Sequence, residues 1–386
     1  MKMRIPLAKP EITDADRGAV LDVLRTPYLS SGPKVQEFEQ AICDYAGSEH
    51  AVAVNSGTSA LQIAVRSLGL DAGAEVILPS FTFSALLNVI LQEGLRPKFV
   101  DIDPESYNTT PELIAAAVTE DTQLVIAVHT FGIPADVPGI ISAISSLSWA
   151  GRRRHTIQVI EDACEALGTE VEGRKAGTLG DASLFAFYPN KQITTGEGGV
   201  LVTSDERLAR QARILRNQGR DPTLSWEDHA EIGFSYRLSD MNSALGISQL
   251  KRLEHVIEKR QRLAESYDRR LCSVKDLICP PLSNAIGRIS WFVYPVRLSA
   301  RFTRADRDWI CGSLASKGIA TGKYFAPLHR QPVLRKCGVS TTNLPGTELV
   351  ADRIIALPFF NELTDSEIEE VCRALEESIH SCRRKT

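Results

Sequence analysis

The sequence predicts an α/β fold in which helices cover a mostly parallel sheet. Helical and strand-like patterns alternate over the first two thirds of the chain, and the strand-like runs are short and rich in Val and Ile. Such runs are typical of strands buried on both faces. After about residue 250 the pattern changes to a long charged helix and a shorter mixed region. We therefore expect a large domain over residues 1–250 and a smaller C-terminal α+β domain over residues 251–386.

The elements of the large domain follow from local patterns. Residues 33–46, "PKVQEFEQAICDYA", begin with a proline and carry apolar residues at helical spacing, so they predict a helix. After them, strands are predicted for "HAVAVN", "EVILPS", "RPKFVDID", "TQLVIAVH" and "IQVIED", and helices for "GTSALQIAVRSLGL" and "FSALLNVILQEG". This alternation indicates a mostly parallel sheet covered by helices.

Residues 249–271 predict one long amphipathic helix that leads into the second domain, with Leu250 and Leu253 on its apolar face. A strand is predicted for "WFVYPVRL", and a helix closed by Gly318 for "RADRDWICGSLASKG". The final helix, "TDSEIEEVCRALEESIHSC", is expected to be capped by Thr364 or Asp365. Since no low-complexity linker separates the two parts, we expect them to pack as one body.

Composition excludes several classes of function. The net charge of -4 and the lack of a dense basic face argue against a nucleic-acid-binding protein. No apolar stretch has the length of a signal peptide core or a membrane span, so a cytoplasmic protein is expected. The eight cysteines show no C-x-x-C pair and no paired His spacing, which indicates reduced thiols and no metal site.

Three segments carry candidate chemistry. In "AVNSGTSALQIAV" a strand leads into a helix through Gly57, Thr58 and Ser59. The free N–H groups of such a turn can bind phosphate, although the pattern also fits a simple helix cap. In "QVIEDACEALG" strand alternation points Glu161 and Asp162 to opposite faces. One of these acids is expected at the ligand edge of the sheet, where it could orient a base, bind a metal, pair with a protonated ring nitrogen or cap a helix.

The third segment contains Lys191. Flanking aromatic residues at Phe185, Phe187 and Tyr188 are expected to shield the amine, and "TGEGG" lets the backbone approach a ligand closely. Partial desolvation favours a nucleophilic lysine. A nucleotide-hydrolysing P-loop is disfavoured, because the order G-x-x-x-x-G-K-[ST] is absent and a strand follows the glycines.

A phosphate-binding turn, an acid for a ring nitrogen and a shielded lysine for a Schiff base are together what pyridoxal 5'-phosphate requires of a protein. An aromatic residue to cover the ring is expected nearby. The segment "LPSFTFSA" offers Phe83 for that position.

The order of the motifs resembles the DegT/DnrJ/EryC1/StrS family of sugar aminotransferases. The resemblance covers nearly the whole chain and is carried by "NSGTSAL", "VILPSFTFSA", "VIEDACEALG", "GDASLFAFYPNKQITTGEGGVLVT", "GFSYRLSDMNSALGISQL" and "PLHRQP". It implies a fold type I aminotransferase that depends on pyridoxal 5'-phosphate. It also implies a homodimer with active sites at its interface, and amination of nucleotide-linked keto-sugars or related cyclitols.

The resemblance also implies roles for single residues. Lys191 corresponds to the Schiff-base lysine and Asp162 to the partner of the pyridine nitrogen, so these two are the expected catalytic residues. The implied cofactor-binding residues are Gly57, Thr58, Ser59, Phe83, Asp162, Glu165, Lys191 and Ser235. The implied substrate-binding residues are Ser31, Glu197, Arg237 and His329.

Three positions depart from the pattern that the resemblance implies. Ala186 replaces a serine that often contacts the phosphate, Ser235 replaces an asparagine of the neighbouring subunit, and Glu165 stands where Gln or His is frequent. Each lost hydrogen bond to a charged phosphate costs about 1.5 to 3 kcal/mol, so weaker retention of the cofactor is expected.

The expected reaction is a two-stage amino transfer from glutamate or glutamine to a nucleotide-linked keto-sugar, in polysaccharide or antibiotic sugar biosynthesis. Two alternatives stay open at this stage. One is a cyclitol or aminoshikimate-type aminotransferase, because the motifs that bind the cofactor do not indicate which acceptor the protein binds. The other is a regulator that binds the cofactor without turnover, which the three departures permit.

Overall fold

A computed structural model of the protein describes residues 3–147, 156–225, 227–337 and 343–383. In these residues the helices are α1 (Asp14–Leu24), α2 (Pro33–Ala46), α3 (Gly57–Ser67), α4 (Ala85–Gln92), α5 (Pro111–Ala117), α6 (Val137–Ser145), α7 (Glu206–Arg216), α8 (Asp240–Leu250), α9 (Leu253–Leu271), α10 (Arg304–Ser316), α11 (Pro332–Cys337), α12 (Pro345–Ala351) and α13 (Asp365–Arg383). The α/β fold class that the sequence predicts is confirmed.

The large sheet has seven strands in the order β1-β9-β8-β5-β4-β2-β3. They are β1 (His50–Val54), β2 (Glu75–Pro79), β3 (Arg96–Val100), β4 (Thr122–Val128), β5 (Gln158–Asp162), β8 (Ala182–Ala186) and β9 (Gly199–Thr203), and β6 (Glu170–Val171) pairs with β7 (Arg174–Lys175) outside the sheet. Strand β9 is antiparallel to β1 and β8, and the other neighbours are parallel. Every residue of β4 is buried, as its run rich in Val and Ile predicts.

This topology positions the site. Because β2, β4, β5 and β8 run in the same direction, their carboxyl ends meet at one edge of the sheet. Asp162 is the last residue of β5, Ala186 is the last residue of β8, and Ser80 follows β2 directly. The residues that the sequence predicts at strand ends therefore converge at this edge, where ligands of open α/β sheets bind.

The C-terminal part contains a three-stranded antiparallel sheet in the order β10-β11-β12. Its strands are β10 (Leu277–Ile278), β11 (Tyr294–Leu298) and β12 (Ile354–Leu357). One apolar cluster joins this sheet to Phe81 and Phe131 of the large-sheet part. The N-terminal segment also contacts the C-terminal part, because the N–H groups of Arg4 and Ile5 donate to the carbonyl of Gly318. The boundary between two domains near residue 250 remains a prediction.

The single long helix expected over residues 249–271 is two helices, which is a correction. Helix α8 ends at Leu250 and α9 begins at Leu253. The break lies at Arg252, whose guanidinium donates to the buried Asp16 at 3.0 Å and to the carbonyl of Glu11 at 2.7 Å. These tertiary contacts hold Arg252 outside helical geometry, so they override a pattern that locally favours one helix.

Two smaller expectations about the C-terminal part are decided by local geometry. The final helix is capped by Thr364, which donates its N–H to Glu367 and accepts from the N–H of Glu367. Gly318 follows α10 with a φ of 78°, as its predicted role of ending that helix requires. No helix of the described ranges has the length and apolar character that crossing a membrane requires.

Candidate active site

Asp162 ends β5 with its side chain directed into a cavity at the carboxyl edge of the sheet. The side chain is 7% exposed, and Oδ1 accepts the N–H of Cys164 at 3.1 Å. Its own carbonyl accepts the N–H of His129 at 3.1 Å, which ties the end of β5 to the end of β4. One backbone N–H therefore holds the carboxylate, and the main-chain contact with His129 holds the strand end, while the carboxylate faces the cavity.

Glu161 points to the opposite face, as strand alternation predicts, and it is fully buried. Its carboxylate accepts five hydrogen bonds, from His129 Nε2, the N–H groups of Gly177, Leu179 and Gly180, and the hydroxyl of Ser183. Burial alone raises the pKa of Glu161, but the His129 bond and the backbone amides outweigh it and hold the pKa below the ordinary value. Glu161 is thus a structural acid that anchors the loop before β8.

The predicted phosphate turn is the N-terminus of α3. Ser56 caps the helix by accepting the N–H of Ser59 at 3.1 Å, and the hydroxyl of Ser59 donates to Asn55 at 2.7 Å. Gly57 and Thr58 line the cavity, and first-turn N–H groups have no partner within a helix. A Cβ on Gly57 would lie 2.8 Å from Cβ of Ala186, so only glycine fits against β8 here. Ser59 belongs to the cap, whereas Gly57 and Thr58 can bind an anion.

Lys191 lies in the turn after β8, and its N–H donates to the carbonyl of Tyr188 at 2.9 Å. Its Nζ is 3.6 Å from Oε1 of Glu165 and 4.1 Å from the ring centre of Phe292. The side chain is 12% exposed. The amine is therefore enclosed between a carboxylate and an aromatic face, as a shielded nucleophile requires.

The aromatic residues that shield Lys191 are not all the predicted ones. Phe185 and Phe187 are buried in a different apolar cluster, where the Phe187 ring packs edge-on against Phe38 at 5.3 Å. Tyr188 lines the cavity but is half exposed, and Phe292 covers the amine. The expectation for Phe185 and Phe187 is wrong because alternation along β8 turns both rings away from the cavity.

Glu165 lies at the inner wall of the cavity. Oε2 accepts the N–H of Phe131 at 2.9 Å, and Oε1 faces Lys191. Burial raises the pKa of Glu165, and the nearby Lys191 ammonium and the Phe131 amide offset only part of that effect. Cys164 is beside them, and burial together with the charge of Asp162 raises the pKa of its thiol, which keeps the thiol protonated.

These residues surround one cavity of about 400 Å³. Those among its lining that the sequence predicts are Gly57, Thr58, Phe83, Asp162, Glu165, Ala186, Lys191 and Glu197. The side chain of Phe83 is 58% exposed and lies at the mouth. The set offers N–H donors for a phosphate, a carboxylate for a ring nitrogen and an amine for a carbonyl carbon. The residues present therefore fit pyridoxal phosphate.

Five predicted residues lie outside the lining of this cavity, and Ser59, in the cap of α3, is one of them. Ser31 and Arg237 border a smaller cavity of about 120 Å³, and Arg237 donates to Asn217 at 3.0 Å. Ser235 is exposed and forms an isolated antiparallel β-bridge with Asn217. His329 is buried, with Nδ1 2.7 Å from the Ser80 hydroxyl and Nε2 3.2 Å from Glu348. Their roles toward cofactor and substrate remain predictions.

Several residues of the cavity wall were not predicted. They come from the C-terminal part and from the turn before Lys191, and they are Asn190, Phe292, Tyr324 and Phe325. The aromatic run "SWFVYPV" predicts a strand, and nothing local marks Phe292 as a neighbour of Lys191. "GKYFAPLH" does adjoin the predicted "PLHRQP" segment, so its two aromatic residues were the closest available signal.

The fold and the site together define a fold type I protein that binds pyridoxal 5'-phosphate. Residues 10–376 match the model of the DegT/DnrJ/EryC1/StrS aminotransferase family, and the chain belongs to that family. It is 36% identical over 369 residues to GDP-perosamine synthase of Caulobacter vibrioides, with 92% of this chain and 97% of that protein covered.

Two solved structures show the same fold at full length. One is a Streptococcus pneumoniae protein assigned as a sugar aminotransferase, in its PLP-form, at 27% identity and a TM-score of 0.90, covering 98% of this chain and 99% of that one. The other is PseC of Helicobacter pylori, an aminotransferase involved in pseudoaminic acid biosynthesis, at 27% identity and a TM-score of 0.91, covering 99% and 100%. The cofactor of the present chain is pyridoxal 5'-phosphate.

Proposed function

We propose that this protein transfers an amino group from an amino acid, with glutamate the expected donor, to a nucleotide-linked keto-sugar. The observation that supports it most strongly is the convergence of Lys191, Asp162 and the N-terminus of α3 on one cavity. The acceptor class is supported by the 36% identity to a protein named GDP-perosamine synthase. A cytoplasmic location is part of the same proposal.

Each cavity residue has a distinct task in this proposal. Pyridoxal phosphate supplies, when bound, an electron sink for the carbon that loses its proton. The N–H groups of Gly57 and Thr58 bind the phosphate, and the Asp162 carboxylate keeps the ring nitrogen protonated. Lys191 carries the cofactor through Nζ and, once released, moves a proton between donor carbon and cofactor. Phe83 covers the ring, and Phe292 shields the amine from water.

We further propose that Ser31, Ser235 and Arg237 act on the cavity of a second copy in a homodimer. Ser31 and Arg237 share a surface cavity apart from Lys191, and Ser235 is exposed close to Arg237 in the chain. Mixing Lys191→Ala and Arg237→Ala subunits tests this proposal, since a mixed dimer would contain one site with both native residues. Activity that exceeds the sum of the two variants is expected, and its absence would contradict the shared site.

The direct test of the function starts with the purified protein. It should show the visible absorption of a lysine-bound cofactor, and glutamate should bleach that band. Borohydride reduction followed by mass spectrometry should place the cofactor on Lys191. Lys191→Ala should abolish turnover, whereas Lys251→Ala, at an exposed lysine, should not. A band that no amino donor bleaches would favour the regulator, and an active Lys191→Ala protein would refute the assignment.

The acceptor is identified with the amino-loaded protein. Nucleotide-linked 3-keto and 4-keto sugars are added in turn, and the return of the visible band reports transfer of the amino group. A response to cyclic ketones without a nucleotide, and none to nucleotide sugars, would instead support the cyclitol or aminoshikimate-type enzyme.

A further inference from the structure

Arg260, on α9, is a buried cation that lies outside the cavity lining. It is 3% exposed, and its three nitrogens donate to the carbonyl of Trp291 at 2.7 Å, the carbonyl of Phe292 at 2.8 Å and Oδ1 of Asn361 at 2.8 Å. The guanidinium also lies 5.0 Å from the ring centre of Phe359. Burial lowers the pKa of Arg260 to about 10. Among the described residues no carboxylate forms an ion pair with it.

A buried charge without an opposite charge is costly unless all its donors are satisfied. Here two of the three acceptors are carbonyls of consecutive residues, 291 and 292, in the segment that leads into β11. The side chain therefore fixes the position of a stretch of backbone. An apolar side chain of similar length would fill the space but would leave both carbonyls without a donor.

The backbone at residues 291 and 292, which Arg260 holds, is connected to the Lys191 amine by two sets of contacts. Directly, the Phe292 ring lies 4.1 Å from Nζ. Indirectly, the N–H of Phe292 donates to the carbonyl of Phe131 at 3.0 Å, and the N–H of Phe131 donates to Oε2 of Glu165 at 2.9 Å. The other oxygen of Glu165 is 3.6 Å from Nζ. Both neighbours of the amine thus depend on the position of the peptide at residue 292.

We propose that Arg260 is a positioning residue for Lys191, which acts by holding Phe292 and, through Phe131, Glu165 around the amine. The inference rests on the proposed role of Lys191 as the residue that carries the cofactor. Its physical basis is preorganisation, because a flexible lysine must be restricted to one arrangement before it can react efficiently.

The test uses the full-length protein without cofactor and measures how fast the visible band forms after pyridoxal phosphate is added. Arg260→Met should slow this rate by about tenfold. The variant loses the hydrogen bonds to the carbonyls of residues 291 and 292, and with them the fixed cation–π contact between the Phe292 ring and Nζ of Lys191. Phe292→Leu should slow it similarly. The double variant should be no slower than either single one, because both changes disrupt the same contact. Arg262→Met, at an exposed arginine of the same helix, is the matched control.

A purely structural Arg260 would lower the melting temperature but leave the rate of band formation unchanged, and that result would overturn the inference. Rates that multiply in the double variant would also overturn it. If Arg260→Met does not fold, Arg260→Lys keeps the buried charge and is measured in its place, with a smaller slowing expected. Borohydride labelling separates the two proposals. If the reduced cofactor is found on a residue other than Lys191, the proposed function is refuted. If it is found on Lys191 but the variants form the visible band at the native rate, only the inference about Arg260 is refuted.

Discussion

Replacing Glu161 with glutamine would keep the shape of a buried side chain and remove its charge. In the protein, Oε1 accepts three hydrogen bonds and Oε2 accepts two. Whichever oxygen becomes an NH₂ group, at least two donors then face another donor instead of an acceptor. A hydrogen bond to a charged group contributes about 1.5 to 3 kcal/mol, so Glu161→Gln should lower the free energy of unfolding by about 3 to 6 kcal/mol.

Urea unfolding followed by far-ultraviolet circular dichroism measures this loss. Glu120→Gln, at an exposed position, is the control and should leave the unfolding midpoint unchanged. Because Glu161 directly precedes Asp162 in β5, the variant should also lose pyridoxal phosphate faster. An unfolding midpoint within error of the native protein would refute the reasoning, since it would mean that the five hydrogen bonds contribute nothing net.

The same reasoning predicts a pH dependence. The pKa of Glu161 is lower in the folded protein than its ordinary value of 4.5. The stabilisation that ionised Glu161 provides is therefore fully present above the pKa of Glu161 in the unfolded chain. It is lost as pH falls through the pKa of Glu161 in the folded protein. The stability difference between the native protein and Glu161→Gln should narrow below about pH 4.5. A difference that stays constant down to the acid unfolding transition would contradict the assigned direction.

Three further changes test the cavity and its surroundings. Ala186→Ser should slow loss of pyridoxal phosphate roughly tenfold, because it adds a hydroxyl donor beside the phosphate turn, as measured by dilution and visible absorbance. Gly57→Ala should weaken cofactor binding at least about tenfold, because its Cβ would lie 2.8 Å from Cβ of Ala186 and displace the turn. His329→Ala should lower the free energy of unfolding by about 1 to 3 kcal/mol, because the Ser80 hydroxyl and Oε1 of Glu348 lose their contacts with the imidazole.

Matched controls separate these effects from general damage. Gly312→Ala lies inside α10 with open space around it, so it should raise stability slightly and leave cofactor binding unchanged. His380→Ala is exposed on α13 and should be neutral. Faster cofactor loss in Ala186→Ser would contradict the placement of the phosphate. A raised KM for acceptor in His329→Ala, at native stability, would support the predicted substrate role over the structural one.

Much of the site could be predicted because its parts are local. The glycine turn at Gly57 and the acid at the end of β5 depend on a few neighbouring residues and on the rule that ligands bind at the carboxyl ends of parallel strands. The fold class depends on hydrophobic patterns repeated along the chain. These features hold in the structure, where Gly57, Asp162 and Lys191 meet at one cavity.

Other features depend on which distant segments pack together. The break between α8 and α9 arises from contacts of Arg252 with Asp16 and Glu11, far away in sequence. Ser59 fits a phosphate turn by pattern, but its hydroxyl is used by Asn55 within the cap. A choice between competing hydrogen-bond partners is decided by geometry that a linear pattern does not contain.

The sequence by itself determined that this chain is an α/β protein with a lysine, an acid and a helix N-terminus suited to pyridoxal phosphate, because each of those signals lies within a short segment. The tertiary structure decided what surrounds the lysine. Phe292 covers its amine, Glu165 faces it and Arg260 holds the connecting backbone, across separations that local propensity does not encode. The physical reason is that burial and charge pairing act between surfaces, and those surfaces exist only after the chain has folded.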